Sequence, residues 1–270
     1  MFARTSLIAA GFALGLTALA SSPAEAHRRW LLPSMTVFAG QEATASFDAA
    51  TSNQLFVFEH RGTPLDNLTI TGPDGNPVSP DIIGSGKLRS AFEVTLKQQG
   101  TYRVALVSDG LAGSYELNGE RQRWRGTKEQ LSQIPAGATK VQVSENASRT
   151  ETFVTLGAPN DVALKPTGKG LEMIPVTHPT DLAAGEAAVM RFLLDGQPAA
   201  GLEVEFVEGG TRYRNDAGSQ KLTTDAKGEV TLNAKNAGMY FLETDKSVEG
   251  KDGQPGRRAS YVAVLEFLPL

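Results

Sequence analysis

The sequence predicts an all-β protein of two β-sandwich domains, the C-terminal one immunoglobulin-like. Two observations carry this. Apolar residues alternate in short runs, and those runs are bounded by Gly, Pro, Asn and Asp, while helix signals are poor throughout. Short strands at this spacing, with turns between them, are the sandwich pattern.

The chain opens with an element that precedes the fold. Arg4 supplies a positive start, 7–20 an apolar run, Ser21-Ser22-Pro23 a break, and Ala24-Glu25-Ala26 a small-residue cleavage site. This reads as a secretory signal peptide over 1–26, so His27 is expected to be the first mature residue. The apolar run is shorter than the ~20 residues of a membrane span, and no later segment approaches that length. No Cys stands at the cleavage point, which excludes a lipid anchor there. The mature protein is expected to be periplasmic and not membrane-embedded.

Strands are then expected over 35–38, 42–49, 55–59, 68–71, 91–96, 101–108 and within 141–156, forming an N-terminal domain over 27–156. Turn residues fall at 72–75 and 98–100. A short helix is expected at 127–131, with Thr127 as N-cap and Gln130 three residues on. A polar stretch rich in Pro and Gly over 157–170 reads as the linker. Strands over 171–176, 187–194, 202–208, 229–233, 238–244 and 259–267 then build the C-terminal domain, 171–270.

The two halves echo one another. Asp74-Gly75-Asn76-Pro77 resembles Asp195-Gly196-Gln197-Pro198. Glu93-Val-Thr-Leu96 with Gly100-Thr-Tyr102 resembles Glu229-Val-Thr-Leu232 with Gly238-Met-Tyr240. Duplication of one immunoglobulin-like unit and convergent turn chemistry both account for this.

Composition excludes several functions. Without Cys there is no disulfide, thiolate nucleophile or zinc–thiolate site. A net charge of −4 with no basic stripe argues against nucleic acid. There is no nucleophile elbow, phosphate-binding glycine loop or H-E-x-x-H, so no catalytic residues are assigned and the chain is read as a non-enzyme.

The sharpest chemistry lies in three histidines, His27, His60 and His178. A terminal His27 would offer its α-amine and ring Nδ1 as a chelate, and an imidazole from elsewhere would complete a three-nitrogen set. Tetragonal nitrogen ligation suits Cu(II) or Ni(II) better than Mg²⁺ or Ca²⁺. The third nitrogen has two candidates. His60 is expected at the end of a strand over 54–59, and His178 precedes Pro179 at a strand exit. Glu59 is discounted, because strand alternation points it away from His60. Arg28 and Arg29 oppose cation binding and would fit a site that also meets an anion. Trp30 is expected to pin the N-terminal strand. Trp124, among Arg121, Arg123 and Arg125, reads as a half-buried aromatic in a loop.

Ala26-His27-x-x-Trp30-Leu-x-Pro33, His60-Arg-Gly with Pro64, 170–182, and Leu194-Asp-Gly-x-Pro198 with Glu203-Val204 resemble the bacterial domain of unknown function 4198 family. The resemblance runs over nearly the whole mature chain. It implies an exported two-domain β protein, often a periplasmic component of nickel or cobalt uptake. His27 matches the family's terminal His and His60 its later His. Asn is frequent in the family where His178 stands, which implies a structural role for that residue. The expectation is therefore a periplasmic Ni, Co or Cu binding or delivery protein, with His27 and His60 as metal ligands and an uptake transporter or outer-membrane receptor as partner. A metal-free envelope scaffold module is the alternative, and a copper-dependent oxidase a third reading.

Overall fold

The computed structural model describes residues 27–250 and 255–270; the expected signal peptide, 1–26, lies outside the described residues. The first half contains β1 (Arg28–Pro33), β2 (Val37–Phe38), β3 (Ala43–Ser52), β4 (Arg61–Gly62), β5 (Leu68–Thr71), β6 (Asp81–Ser85), β7 (Ser90–Leu96), β8 (Gly100–Leu117), β9 (Glu120–Gly126) and β10 (Thr139–Leu156). The second contains β11 (Leu171–Pro175), β12 (Ala187–Leu194), β13 (Gln197–Pro198), β14 (Glu203–Glu208), β15 (Gln220–Thr223), β16 (Glu229–Asn233), β17 (Gly238–Val248) and β18 (Gly256–Phe267). Helical structure among the described residues is confined to short 3-10 turns, and none is long and apolar enough to cross a membrane. The protein is all-β.

Each half is a sandwich with one strand plan. In the first, β1-β3-β7 form one sheet and β5-β8-β10 the other. In the second, β11-β12-β16 face β15-β14-β17-β18. Named in immunoglobulin order, both are A-B-E over C-F-G, with an extra C′ strand in the second half. Alternation builds each core. Phe47, Phe92, Val94, Tyr102, Val104 and Val154 fill the first; Phe192, Phe206, Leu232, Tyr240 and Tyr261 lie in the second. The internal echo has a structural counterpart. The Tyr102 hydroxyl donates to the Gln98 carbonyl at 3.0 Å, and the Tyr240 hydroxyl to the Asn236 carbonyl at 2.9 Å. Each is a tyrosine corner four residues back, at the start of strand F.

The halves join edge to edge. β10 and β18 pair in parallel from Ser144↔Gly256 to Thr152↔Val264, so a nine-stranded sheet runs through both units. Neighbouring residues of β10 serve different cores, Val154 the first and Phe153 the second, so the two cores lie on opposite faces of this sheet. The smaller sheets therefore cover opposite faces, and the first strand of each overhangs its neighbour. On β1, Leu31 enters its own core while Trp30, fully buried, packs on Val207, Phe241, Val262 and Val264 of the second unit. On β11, Leu171 and Met173 enter their own core. Glu172 instead reaches Arg149 of the first unit at 3.5 Å, and Arg149 pairs with Glu151 at 2.9 Å.

Three local expectations are corrected. Residues 55–59 form no strand. Phe56 has a φ of 61°, and the segment turns so that Leu55, Phe56 and Phe58 gather around Trp30. The helix expected at 127–131 is a 3-10 turn over Glu129–Gln133. Gln130 accepts the Thr127 amide at 2.8 Å, half of the capping box. Trp124 lies on β9, not in a loop.

Candidate metal centre

His27 and His60 are brought together from 33 residues apart in sequence. His27 immediately precedes β1 and His60 immediately precedes β4. Both strands pair with the end of β3, Arg28 opposite Ser52 and Arg61 opposite Thr51. The two exposed imidazoles stack with centroids 3.9 Å apart and planes inclined by 30°.

The scaffold beneath them is closely packed. Phe56 meets Trp30 edge-on at 5.9 Å and Phe58 lies at 6.3 Å, so the turn that carries His60 is clamped to the residue that anchors β1. Glu59 closes the same turn. Its carboxylate accepts from the Ser52 hydroxyl and the Gln54 amide, each at 3.0 Å, and the Gln54 bond leads in holding it below the usual carboxylate range. Glu59 is thus occupied as a turn brace, although by turn bonds and not by strand alternation.

The donor set is nitrogen-rich. Among the described residues no three His, Asp, Glu or Cys side chains cluster tightly enough to hold a metal. The two rings alone therefore do not make up a metal site and would need a third donor; a chain that began at His27 would offer its α-amine as one. Exposed rings stacked 30° apart need a rotation to direct nitrogens at one ion; neither ring is held by a hydrogen bond within the described residues.

His178 is not part of this group. Its Nδ1 accepts the Thr180 amide at 3.3 Å, which leaves the protonated Nε2 to donate to the Asn160 carbonyl at 3.3 Å. Thr101 and Thr155 complete the network, which ties the linker to both units.

Sequence reasoning missed how cations gather beside the histidines. Arg29 and Arg61 are both register partners of Thr51, on its two sides. Burial lowers the Arg29 pKa, and the nearby Arg61 and Arg125 guanidinium groups lower it further. Arg28 turns the other way, bonds Glu205 at 2.8 Å and lies over the Phe241 ring.

A family model described as domain of unknown function DUF4198 matches residues 24–247. The chain belongs to the DUF4198 family. The match includes His27, Trp30 and His60, so the candidate centre of this DUF4198 protein lies inside the family's own domain. No curated protein matches it. Among solved structures, the D0-D1 domain of intimin is 11% identical over 88% of this chain and 97% of that one, with a TM-score of 0.20. Trypsin-activated alpha-2-macroglobulin from Escherichia coli is 12% identical over 90% of this chain and 16% of that one, TM-score 0.22. The mouse nectin-like molecule 4 ectodomain is 12% identical over 90% and 65%, TM-score 0.21.

Proposed function

We propose that this DUF4198 protein is a periplasmic binding or delivery protein for Ni, Co or Cu, accessory to metal uptake. The contact between the His27 and His60 rings, 3.9 Å between centroids, carries the reading. The α-amine and Nδ1 of a terminal His27 would chelate the ion and His60 would supply the third nitrogen, a ligand set that suits tetragonal Cu(II) or Ni(II). Both rings are exposed, which suits an ion handed on to an uptake transporter or outer-membrane receptor more than one locked inside a core. Arg29 and Arg61, which flank Thr51 beside the two rings, would lower affinity for a bare cation and so favour release.

The test is metal retention by protein that starts at His27. One equivalent of Cu(II) or Ni(II) is expected to bind, with at least a tenfold loss in His60→Ala and a comparable loss when one residue is added before His27. His178→Asn is expected to leave affinity unchanged. Equal retention by all four proteins would sink the metal reading and leave an envelope scaffold.

A further inference from the structure

A cavity opens where β1 begins, on the face of the large sheet that carries Trp30. Its volume is about 520 Å³, and it is lined by residues of β1, β8, β9, β10 and β18. The floor is set by register. Ser260 of β18 pairs with Ser148 of β10, which pairs with Ser108 of β8. Register partners project to the same face of a sheet, so the three hydroxyls form a row across neighbouring strands. No hydroxyl of this row has a side-chain partner among the described residues, whereas the threonines further along β10 are bonded.

Three arginines line the same cavity: Arg29 from β1, Arg125 from β9 and Arg258 from β18. Arg258 is 3.4 Å from Asp245, an exposed pair that holds the side chain only weakly. Arg29 and Arg125 form no ion pair within the described residues. Asp109 is the one carboxylate in the lining, and it is exposed. Two cations without an ion-pair partner among the described residues and a third held only by an exposed pair, over hydroxyls free to donate, are the complement of an oxyanion: guanidinium forks match carboxylate and phosphate geometry. The corresponding cavity on the opposite face differs. Its Arg257 is bonded to Asp195, its Lys128 to Glu145 and its Arg149 to Glu151, so most of its cations already have counter-charges.

We propose that the cavity between Arg29, Arg125 and Arg258 binds a small soluble oxyanion of two or more charges, a phosphate or a polycarboxylate. Neither His27 nor His60 lines this cavity, and the proposal does not rest on the metal reading. The volume admits a molecule of citrate size, and the hydroxyl row can donate to oxygens that the arginines do not reach.

Calorimetric titration of the metal-free protein with inorganic phosphate and with citrate, in Tris chloride at low ionic strength, tests it. One saturable site is expected for at least one of the two. Arg125→Gln, an exposed change on an edge strand, should weaken it at least tenfold, and Ser148→Val severalfold with the melting temperature nearly kept. Arg121→Gln removes the same charge from the same strand but lies outside this cavity, and should change affinity less than twofold. No saturable binding of either anion overturns the proposal, as does an equal loss in Arg125→Gln and Arg121→Gln. Binding only to phosphatidylglycerol vesicles also overturns it, since it places the cations on a membrane surface. Because no metal is present, failure here leaves the His27–His60 reading untouched, and the reverse holds.

Discussion

Trp30 holds the candidate centre in place from below. Its ring is fully buried between the units, and both the start of β1 and the turn before His60 are packed on it. Its indole N–H, however, is buried with no hydrogen-bond partner among the described residues. The residue therefore contributes through packing alone and carries a small desolvation cost. Trp30→Ala should cost about 3–5 kcal/mol, read by urea denaturation, and should lower metal affinity by separating the imidazoles. Trp30→Phe should cost far less, because it also removes the unsatisfied donor. Glu243 offers a pH test at the same scale. Burial raises its pKa first of all; Glu205 and Asp245 raise it further, against the opposing pull of Arg28 and Arg258. Its ionised form is thus penalised in the folded state. Glu243→Gln should raise the melting temperature at pH 7, and the gain should vanish below about pH 4, where the unfolded carboxyl is also protonated.

At the scale of elements, the buried ionic group beneath β11 holds the units together by another kind of contact. Glu172 accepts from the Thr167 amide and hydroxyl and from the Gly168 amide, and faces Arg149. Glu151 takes Arg149 and the Tyr261 hydroxyl, each at 2.9 Å. Glu151→Ala would leave Arg149 buried beside an emptied partner, so a loss of about 3–5 kcal/mol is expected by chemical denaturation. Removal of either tyrosine-corner hydroxyl, Tyr102→Phe or Tyr240→Phe, should cost only about 0.5–1.5 kcal/mol, plus any penalty for the carbonyl left without its donor. These elements also show what the sequence made legible. The strands at 187–194, 229–233 and 68–71 alternate cleanly and were readable to the residue. β1 was not, because it buries both Trp30 and Leu31, one toward each unit, and so loses its alternation. The run Leu55-Phe-Val-Phe58 mimics a strand, since its apolar residues serve the Trp30 cluster and not a sheet face. β9 has almost no buried residue and so carries no apolar signal.

At the scale of the molecule, the same A-B-E over C-F-G unit occurs twice and is fused through β10 and β18. The echo of Gly100-Thr-Tyr102 in Gly238-Met-Tyr240 made the repeat visible, but nothing in either strand announced the parallel pairing. That pairing is a partnership between elements more than a hundred residues apart, and local pattern does not encode it. The same is true of the cation cluster, whose Arg29 and Arg125 meet only because β9 folds back along β8. His27 and His60 were legible for the opposite reason: few histidines exist, and one follows a cleavage motif. A sheet continuous through both units predicts one cooperative unfolding transition. Circular dichroism and tryptophan fluorescence should give coincident urea curves. Two separated transitions would show that the shared sheet couples the units weakly.

The most direct test of the metal reading is the intact mass of protein recovered from the periplasm, before and after one equivalent of Cu(II) or Ni(II). A chain that begins at His27 and keeps one ion under native conditions is the predicted result. A chain cut elsewhere, or one that keeps no ion, contradicts the nitrogen chelate at His27 and His60.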